Sequence, residues 1–229
     1  MSLSVQNTVV SSKNINCIED RSSFTVAVGK DITNNYAYSS NGLSWTTSTA
    51  TGLTGPSNAG YAVAWNGIQW IAVGNRGSGS TPMAYSVNGK QWFASTNNPG
   101  SIMNAISWNG DTWVTCSQTS TTMQYSQSMT GPSTTWSTST STPFTTTARA
   151  FQWLRNIWMV GGEGSNSMAY SYDGFYWTGI GSSSPFGTAG ACYSLAWNNS
   201  LLVAGGISAT QSMAYTTIPS TNIIDPTAL

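Results

Sequence analysis

Short apolar runs alternate with polar segments along the whole chain, and one order of runs returns five times. In the second unit, an alternating run at residues 62–65 ends in Trp65. The turn dipeptide Asn66-Gly67 follows, and then comes a second apolar run at residues 70–74. Apolar runs of this length that alternate with a period of two between Asn, Gly and Ser predict β-strands.

A third run, Met-Ala-Tyr-Ser or a close variant, leads into a turn dipeptide and then a tryptophan. Complete copies of this motif occupy residues 36–45, 83–92 and 168–177. The copy at residues 123–136 has extra residues before its tryptophan, and the copy that opens at Met213 has no tryptophan behind it. Asn-Gly and Asp-Gly favour the positive φ values of tight hairpins, so each copy predicts two antiparallel strands.

The spacing of the units predicts the architecture. The motif tyrosines are 47, 40, 45 and 45 residues apart, and four-stranded units at this period are typical of propeller blades. We therefore predict an all-β fold in which residues 1–229 form a single five-bladed β-propeller of four-stranded antiparallel blades. The predicted segments are a closing strand and lead-in at 1–16, blades near 17–48, 60–95, 103–140, 148–180 and 193–216, and a C-terminal tail at 217–229.

The fifth unit lacks a tryptophan-bearing fourth strand, and two segments could supply that strand. Pairing of residues 3–6 with the strand around residues 213–216 would close the ring and protect a sheet edge. Residues 222–224 are the alternative. We favour the N-terminal segment.

The tryptophans and cysteines fall on repeat positions. Each of the eleven tryptophans ends a first strand, starts a second strand or ends the hairpin motif, which predicts packing roles rather than ligand contacts. Cys17, Cys116 and Cys192 lie on predicted strands where other units carry small residues. We expect buried, unpaired thiols and no disulfide scaffold.

Composition narrows the functional classes. Charged residues make up 6% of the chain, and seven basic residues balance seven acidic ones. This balance provides no basic surface for nucleic acid. No apolar run approaches the roughly 20 residues of a membrane span, so we predict no membrane insertion. Histidine is absent, and no motif predicts a cofactor or a metal site. No signal peptide is recognisable; abundant uncharged polar residues favour an extracellular, cell-surface or virion location.

The motif carries a family resemblance. Residues 39–45, 86–92 and 171–177 read Ser-x-Asn/Asp-Gly-x-x-Trp and resemble the Asp-box, or BNR repeat, of β-propellers. That resemblance implies a structural turn and no particular activity. Five units of this period are also similar to tachylectin-2-type lectins, which implies a carbohydrate ligand.

Three functions can be compared from the residues. The acidic residues occupy unrelated repeat positions, which disfavours the two facing carboxylates of a glycosidase; a sialidase-like glycoside hydrolase is the least favoured reading. We predict a non-catalytic recognition module that binds carbohydrate through polar loops between second and third strands. The alternative is a structural or display protein of a virion or cell surface that binds another protein. The candidate ligand-binding residues are Asn34, Asn35, Asn75, Arg76, Glu163 and Asn166.

Overall fold

The computed structural model describes residues 15–21, 23–30, 35–51, 59–77, 81–118, 120–128 and 135–217. Over these residues the chain consists of short β-strands and a single 3-10 turn, Gly181–Ser183. It divides into two compact units. The first comprises Met1–Met103 with Met129–Thr134, and the second comprises Asn104–Ser128 with Thr135–Leu229.

The first unit contains two antiparallel sheets in which strands follow one another in chain order. The first sheet consists of β1 (Ile15–Arg21), β2 (Phe24–Gly29), β3 (Tyr36–Ser39) and β4 (Thr46–Thr47). A short strand, β5 (Thr49–Ala50), then pairs in parallel with the last strand of the second sheet. The second sheet consists of β6 (Ala59–Trp65), β7 (Trp70–Asn75), β8 (Met83–Ser86) and β9 (Gln91–Ala94).

The second unit repeats this arrangement. The third sheet consists of β10 (Met103–Trp108), β11 (Trp113–Ser117), β12 (Met123–Ser126) and β13 (Ser137–Thr138). The fourth sheet consists of β14 (Thr147–Leu154), β15 (Ile157–Glu163), β16 (Met168–Ser171) and β17 (Thr178–Gly179). The fifth sheet consists of β18 (Ala191–Trp197), β19 (Leu201–Ile207) and β20 (Met213–Thr217). The pairing Glu163↔Ala191 joins the fourth and fifth sheets. Within the described residues the fifth sheet ends at β20.

The turns before Trp45, Trp92 and Trp177 share one geometry. In the second sheet, Ser86 Oγ accepts hydrogen bonds from the N–H groups of Asn88 (3.3 Å) and Gly89 (2.8 Å). Asn88 Oδ1 accepts from the N–H groups of Lys90 and Gln91, both at 2.9 Å. The pairs Ser39/Asn41 and Ser171/Asp173 form the same bonds. Side-chain acceptors thus replace backbone partners in this tight turn.

Apolar side chains pack between neighbouring sheets of the same unit. In the first unit, Val26 and Val28 of the first sheet contact a cluster that includes Ala72, Ala84 and Trp92 of the second. In the second unit, one cluster joins the third and fourth sheets and another joins the fourth and fifth. The fourth sheet is therefore covered by apolar side chains on both faces, as a blade within a stack requires.

The prediction of an all-β fold with four-stranded antiparallel sheets is confirmed. Both proposed fourth strands of the fifth sheet, residues 3–6 and 222–224, lie outside the described residues, and the number of blades stays a prediction. The three cysteines are unpaired: Cys116 and Cys192 are buried, while Cys17 is half-buried. None of the helical segments that the structure describes has the length and apolar character to cross a membrane.

Candidate functional site

The first unit contains four of the predicted ligand-binding residues. Asn34 lies outside the described residues. Asn35 is buried, and its carbonyl accepts a hydrogen bond from the Gly29 N–H at 3.0 Å. Asn75 ends β7 and forms an isolated antiparallel bridge with Ile102, and Arg76 beside it is exposed. Arg76 and the half-buried Asn75 therefore remain accessible to solvent.

Asn166, in the second unit, holds two neighbouring segments in place. Its side-chain N–H donates to the carbonyl of Pro143, and its Oδ1 accepts from the Gly181 N–H at 2.9 Å. A Cβ added at Gly179 would collide with the Asn166 amide. Because its donor and its acceptor are both engaged, Asn166 has a structural role, and its contact with a ligand stays a prediction.

Glu163 lies at the end of β15 and forms an ion pair with Arg149 of the adjacent β14. Arg149 Nη2 lies 2.8 Å from Glu163 Oε1, and the two side chains are 30% and 24% exposed. The Nε of Arg149 is buried and has no hydrogen-bond partner within the described part of the chain. A buried N–H group without an acceptor carries an energetic cost.

A β-bulge directs the Arg149 side chain. Ala148 pairs with Gly162 and Ala150 pairs with Gly161, which leaves Arg149 as the additional residue. The same irregularity in β18 leaves Tyr193 unpaired, because Cys192 pairs with Gly206 and Ser194 with Gly205. Bulges redirect side chains and are common beside functional sites.

The two bulged residues contact each other. The guanidinium carbon of Arg149 lies 5.0 Å from the centroid of the Tyr193 ring, within the range of a cation–π interaction. Tyr193 remains 47% exposed. We call Arg149, Glu163 and Tyr193 the bulge cluster. It combines an accessible aromatic ring with a charge-balanced pair of hydrogen-bonding groups.

The sequence interpretation included Glu163 but missed Arg149 and Tyr193. Arg149 and Tyr193 each lie four residues before the tryptophan that ends the first strand of their sequence repeat. Tyr61 takes this position in the second repeat and Asn104 takes it in the third. Chemical variation at one position of an otherwise regular repeat is the signal that could have identified them. Tyr61 also occupies a bulge, since Gly60 pairs with Gly74 and Ala62 pairs with Val73.

The described carboxylates outside the bulge cluster bind local groups. Glu19 pairs with Arg21 at 2.5 Å, and Asp20 accepts from the Thr25 hydroxyl at 2.6 Å. Burial raises the pKa of Glu19, with a smaller opposing effect of Arg21. Asp173 is mostly exposed. Its partial burial acts to raise its pKa, but N–H donors from Tyr176 and Phe175 outweigh this effect and lower the pKa. Each of these acids is held by groups of its own strand or turn.

Comparisons with known proteins establish the fold. No protein-family model matches this sequence, and no curated protein matches it. The chain is structurally similar to the β-propeller domain of Cps50 (Swd1) from Myceliophteria thermophila, with a TM-score of 0.62, 12% identity, and coverage of 97% of this chain and 70% of that one.

Two further solved structures show the same likeness. The Niastella koreensis GH74 enzyme matches with a TM-score of 0.58 and 16% identity over 90% of this chain and 31% of that one. The computationally designed Ika8 protein matches with a TM-score of 0.56 and 14% identity over 83% of this chain and 55% of that one. The chain thus spans about half of Ika8 and less than a third of the GH74 enzyme. These similarities show a β-propeller fold and leave function to be argued from the residues.

Proposed function

We propose that this protein is a non-catalytic recognition module that binds carbohydrate at the bulge cluster. The observation that carries the proposal is the contact of Tyr193 with the Arg149–Glu163 pair. An exposed aromatic ring can pack against the apolar face of a sugar ring, while the guanidinium and carboxylate groups bond its hydroxyls. Because the two charges balance, the cluster suits a neutral, hydroxyl-rich ligand better than an anion.

The partners of the acidic groups support a role without catalysis. Glu163 is paired with Arg149, and Glu19 is paired with Arg21. The Asp173 carboxylate accepts from two backbone N–H groups of its turn. Glycoside hydrolysis uses two carboxyl groups across one substrate, whereas these acids are each engaged in separate local contacts. A sialidase-like hydrolase therefore remains the least favoured possibility.

We also propose that the chain is an Asp-box propeller with five blades. The Ser-x-Asn/Asp turns at Ser39, Ser86 and Ser171 support membership of the Asp-box propellers, and five repeated units support a five-bladed ring similar to tachylectin-2-type lectins. In such a ring the loops predicted to bind ligand, including that of Asn75 and Arg76, would offer additional weak sites.

Calorimetric titration with sugars selected on a glycan array tests this function. Tyr193→Ala removes the stacking surface, and Glu163→Gln removes the carboxylate charge while keeping a similar shape. We expect Tyr193→Ala to weaken binding at least about tenfold, the loss typical of an aromatic anchor. Glu163→Gln should weaken binding less, because the amide still accepts one hydrogen bond.

Tyr176→Ala is the matched control. Tyr176 is 62% exposed and lies in the turn that precedes Trp177, so its loss removes a similar ring away from the cluster. Unchanged affinity in this variant, together with a loss in Tyr193→Ala, would support the proposal. Equal affinities of the wild type and Tyr193→Ala for a bound sugar would refute the assignment of the site.

A display role that involves binding of another protein is the second candidate. It is favoured by the exposed side chains of β20, the last strand over the described residues: Met213 is 67% exposed and Tyr215 is 77% exposed. Exposed apolar side chains on an edge strand mark a surface that can bind a protein.

A further inference from the structure

Two of the motif tryptophans, Trp92 and Trp177, fill the same position between neighbouring sheets. Trp92, at the start of the fourth strand of its sheet, packs in one cluster with Tyr36, Trp70, Ala72 and Ala84. Trp177 packs with the equivalent residues of the second unit, which are Met123, Trp158, Val160 and Ala169. Both tryptophans are buried. The fourth strands of the second and fourth sheets therefore each insert a large ring against the third strand of the preceding sheet.

The fifth sheet has a cleft at this position. The cleft has a volume of about 230 Å³ and lies within the second unit. Four of its lining residues, Met168, Leu202, Ala204 and Ala214, are the repeat equivalents of Tyr36, Trp70, Ala72 and Ala84. The cleft thus occupies the place that Trp92 fills in the second sheet, and no tryptophan follows residue 216 in the sequence.

The strand beside this cleft presents a vacant edge within the described residues. In each of the four other sheets, the residue after the fourth strand donates its N–H to the carbonyl of the first residue of the third strand. The donor and acceptor pairs are Ser48 and Tyr36, Ser95 and Met83, Ser139 and Met123, and Ile180 and Met168, with N···O distances of 2.8–3.0 Å. Met213 is the fifth member of this series, and β20 is the last strand of its sheet over the described residues.

We propose that the cleft and the edge of β20 bind an extended, uncharged segment of another polypeptide that carries a tryptophan. This surface is distinct from the bulge cluster and does not depend on the carbohydrate proposal. The segment adds a fourth strand to the fifth sheet, and its indole enters the cleft. Strand addition of this kind obtains affinity from main-chain bonds and specificity from side-chain pockets.

The repeat defines the register of the added strand. In the second and fourth sheets, Ala84 pairs with the residue two positions after Trp92, and Ala169 pairs with the residue two positions after Trp177. The partner residue two positions after its tryptophan should therefore pair with Ala214, and the next N–H should donate to the Met213 carbonyl.

Neither of the two segments proposed to close the ring, residues 3–6 and 222–224, carries an aromatic side chain. Residues 1–14 and 218–229 contain no aromatic side chain, so neither can supply the ring that the repeat places here. The lining is mostly apolar, its hydroxyl groups belong to Ser183, Tyr215 and Thr216, and it contains no charged residue. An uncharged aromatic segment matches this lining because a buried unpaired charge would be costly.

A fluorescein-labelled peptide with the sequence of residues 41–49 provides the probe, because this segment contains Trp45 and its strand and carries no charged residue. Fluorescence anisotropy with the intact protein should show saturable binding of one peptide per chain. A peptide with alanine in place of the tryptophan should bind at least about tenfold more weakly, since an aromatic anchor dominates such contacts. Equal binding of the two peptides would overturn the proposal.

Two protein variants locate the binding. Ala214→Phe places a ring inside the cleft and should abolish peptide binding. Ala196→Phe is the matched control, because Ala196 is exposed and its pairing with Val203 places it on the opposite face of the fifth sheet. Circular dichroism confirms that both variants are folded. Loss of binding in Ala196→Phe alone would contradict the assigned position.

Hydrogen exchange of the isolated, intact chain distinguishes an occupied edge from a vacant one. We expect the amides of residues 213–216 to exchange rapidly alone and to become protected when the peptide is added. Slow exchange that does not respond to the peptide would overturn the proposal and assign this edge to a segment of the chain itself.

Discussion

The indole ring of Trp92 stacks on the phenol ring of Tyr36. Their centroids are 4.5 Å apart, and the ring planes differ by 15°. Both side chains are buried, and the Trp92 Nε1–H donates to the Gly89 carbonyl at 3.1 Å. Because Tyr36 belongs to the first sheet and Trp92 to the second, this contact joins the two sheets of the first unit.

Trp92→Ala should strongly destabilise the protein. It removes a fully buried ring and leaves a cavity between the two sheets, a change that typically costs about 3–5 kcal/mol. Denaturant unfolding followed by circular dichroism measures the loss. Trp45→Ala is the control at the equivalent position of the first sheet, where the ring is only half-buried and a smaller loss is expected. Equal losses would contradict the assigned packing role.

Alanine at Gly89 should destabilise the protein more than alanine at Gly42. The two glycines have φ values of 67° and 71° in equivalent turns, and this conformation alone costs an alanine about 1 kcal/mol. A Cβ at Gly89 would also collide with the Phe24 ring, whereas a Cβ at Gly42 meets no atom within 4 Å. The difference between the two unfolding free energies measures the collision, and identical values would exclude it.

The Asp173 turn should contribute a pH-dependent part of the stability. Its folded-state pKa is lowered: burial opposes the shift, but the N–H groups of Tyr176 and Phe175 and the Ser171 hydroxyl outweigh it. The unfolded chain therefore takes up this proton at a higher pH than the folded chain. The contribution is complete above the unfolded pKa, about 3.9, and is lost as the pH falls through the folded pKa.

Asp173→Asn separates this charge effect from the turn itself. Asn41 and Asn88 make the same two backbone contacts in their turns, so the variant should retain nearly wild-type stability at pH 7. Between about pH 5 and pH 3 the wild type should lose stability relative to the variant. Parallel unfolding curves at each pH measure this difference, and a constant difference would contradict the assignment.

The buried thiols should resist alkylation in the folded protein. Burial raises the pKa of both Cys116 and Cys192 to about 12, so only about one thiol in ten thousand is ionised at pH 8. Burial also raises the pKa of Cys17, although this residue is partly exposed. Mass spectrometry after timed iodoacetamide treatment should find Cys17 modified first, and modification of Cys116 at the rate seen in denaturant would disagree with its burial.

Much of the strand pattern could be predicted from the sequence because the repeat preserves alternation and turn chemistry together. The complete motifs form hairpins with Gly42, Gly89 and Gly174 at positive φ. The short parallel strand Thr49–Ala50 was not predicted, because its two residues lack any hydrophobic pattern and pair only with the distant β9. Long-range pairing of so short a segment depends on tertiary packing, which local sequence does not encode.

The candidate site was predictable only in part. Glu163 was identified from its loop, but the bulges that present Arg149 and Tyr193 arise from a register shift between paired strands. A register shift depends on both strands, so one segment alone does not show it, and only a comparison of the repeats reveals the variable position. Asn166 matched the polar composition expected of a binding loop, yet its amide is engaged by Pro143 and Gly181, a contact between segments that are separate in sequence.

A glycan array probed in parallel with the wild-type protein and Tyr193→Ala tests the central proposal most directly. The account predicts that the wild type binds a restricted set of neutral sugars and that the folded variant loses those signals, because the exposed ring supplies the stacking surface. An array on which the folded wild type binds no sugar, or on which the variant gives the same pattern as the wild type, would contradict carbohydrate recognition by the bulge cluster.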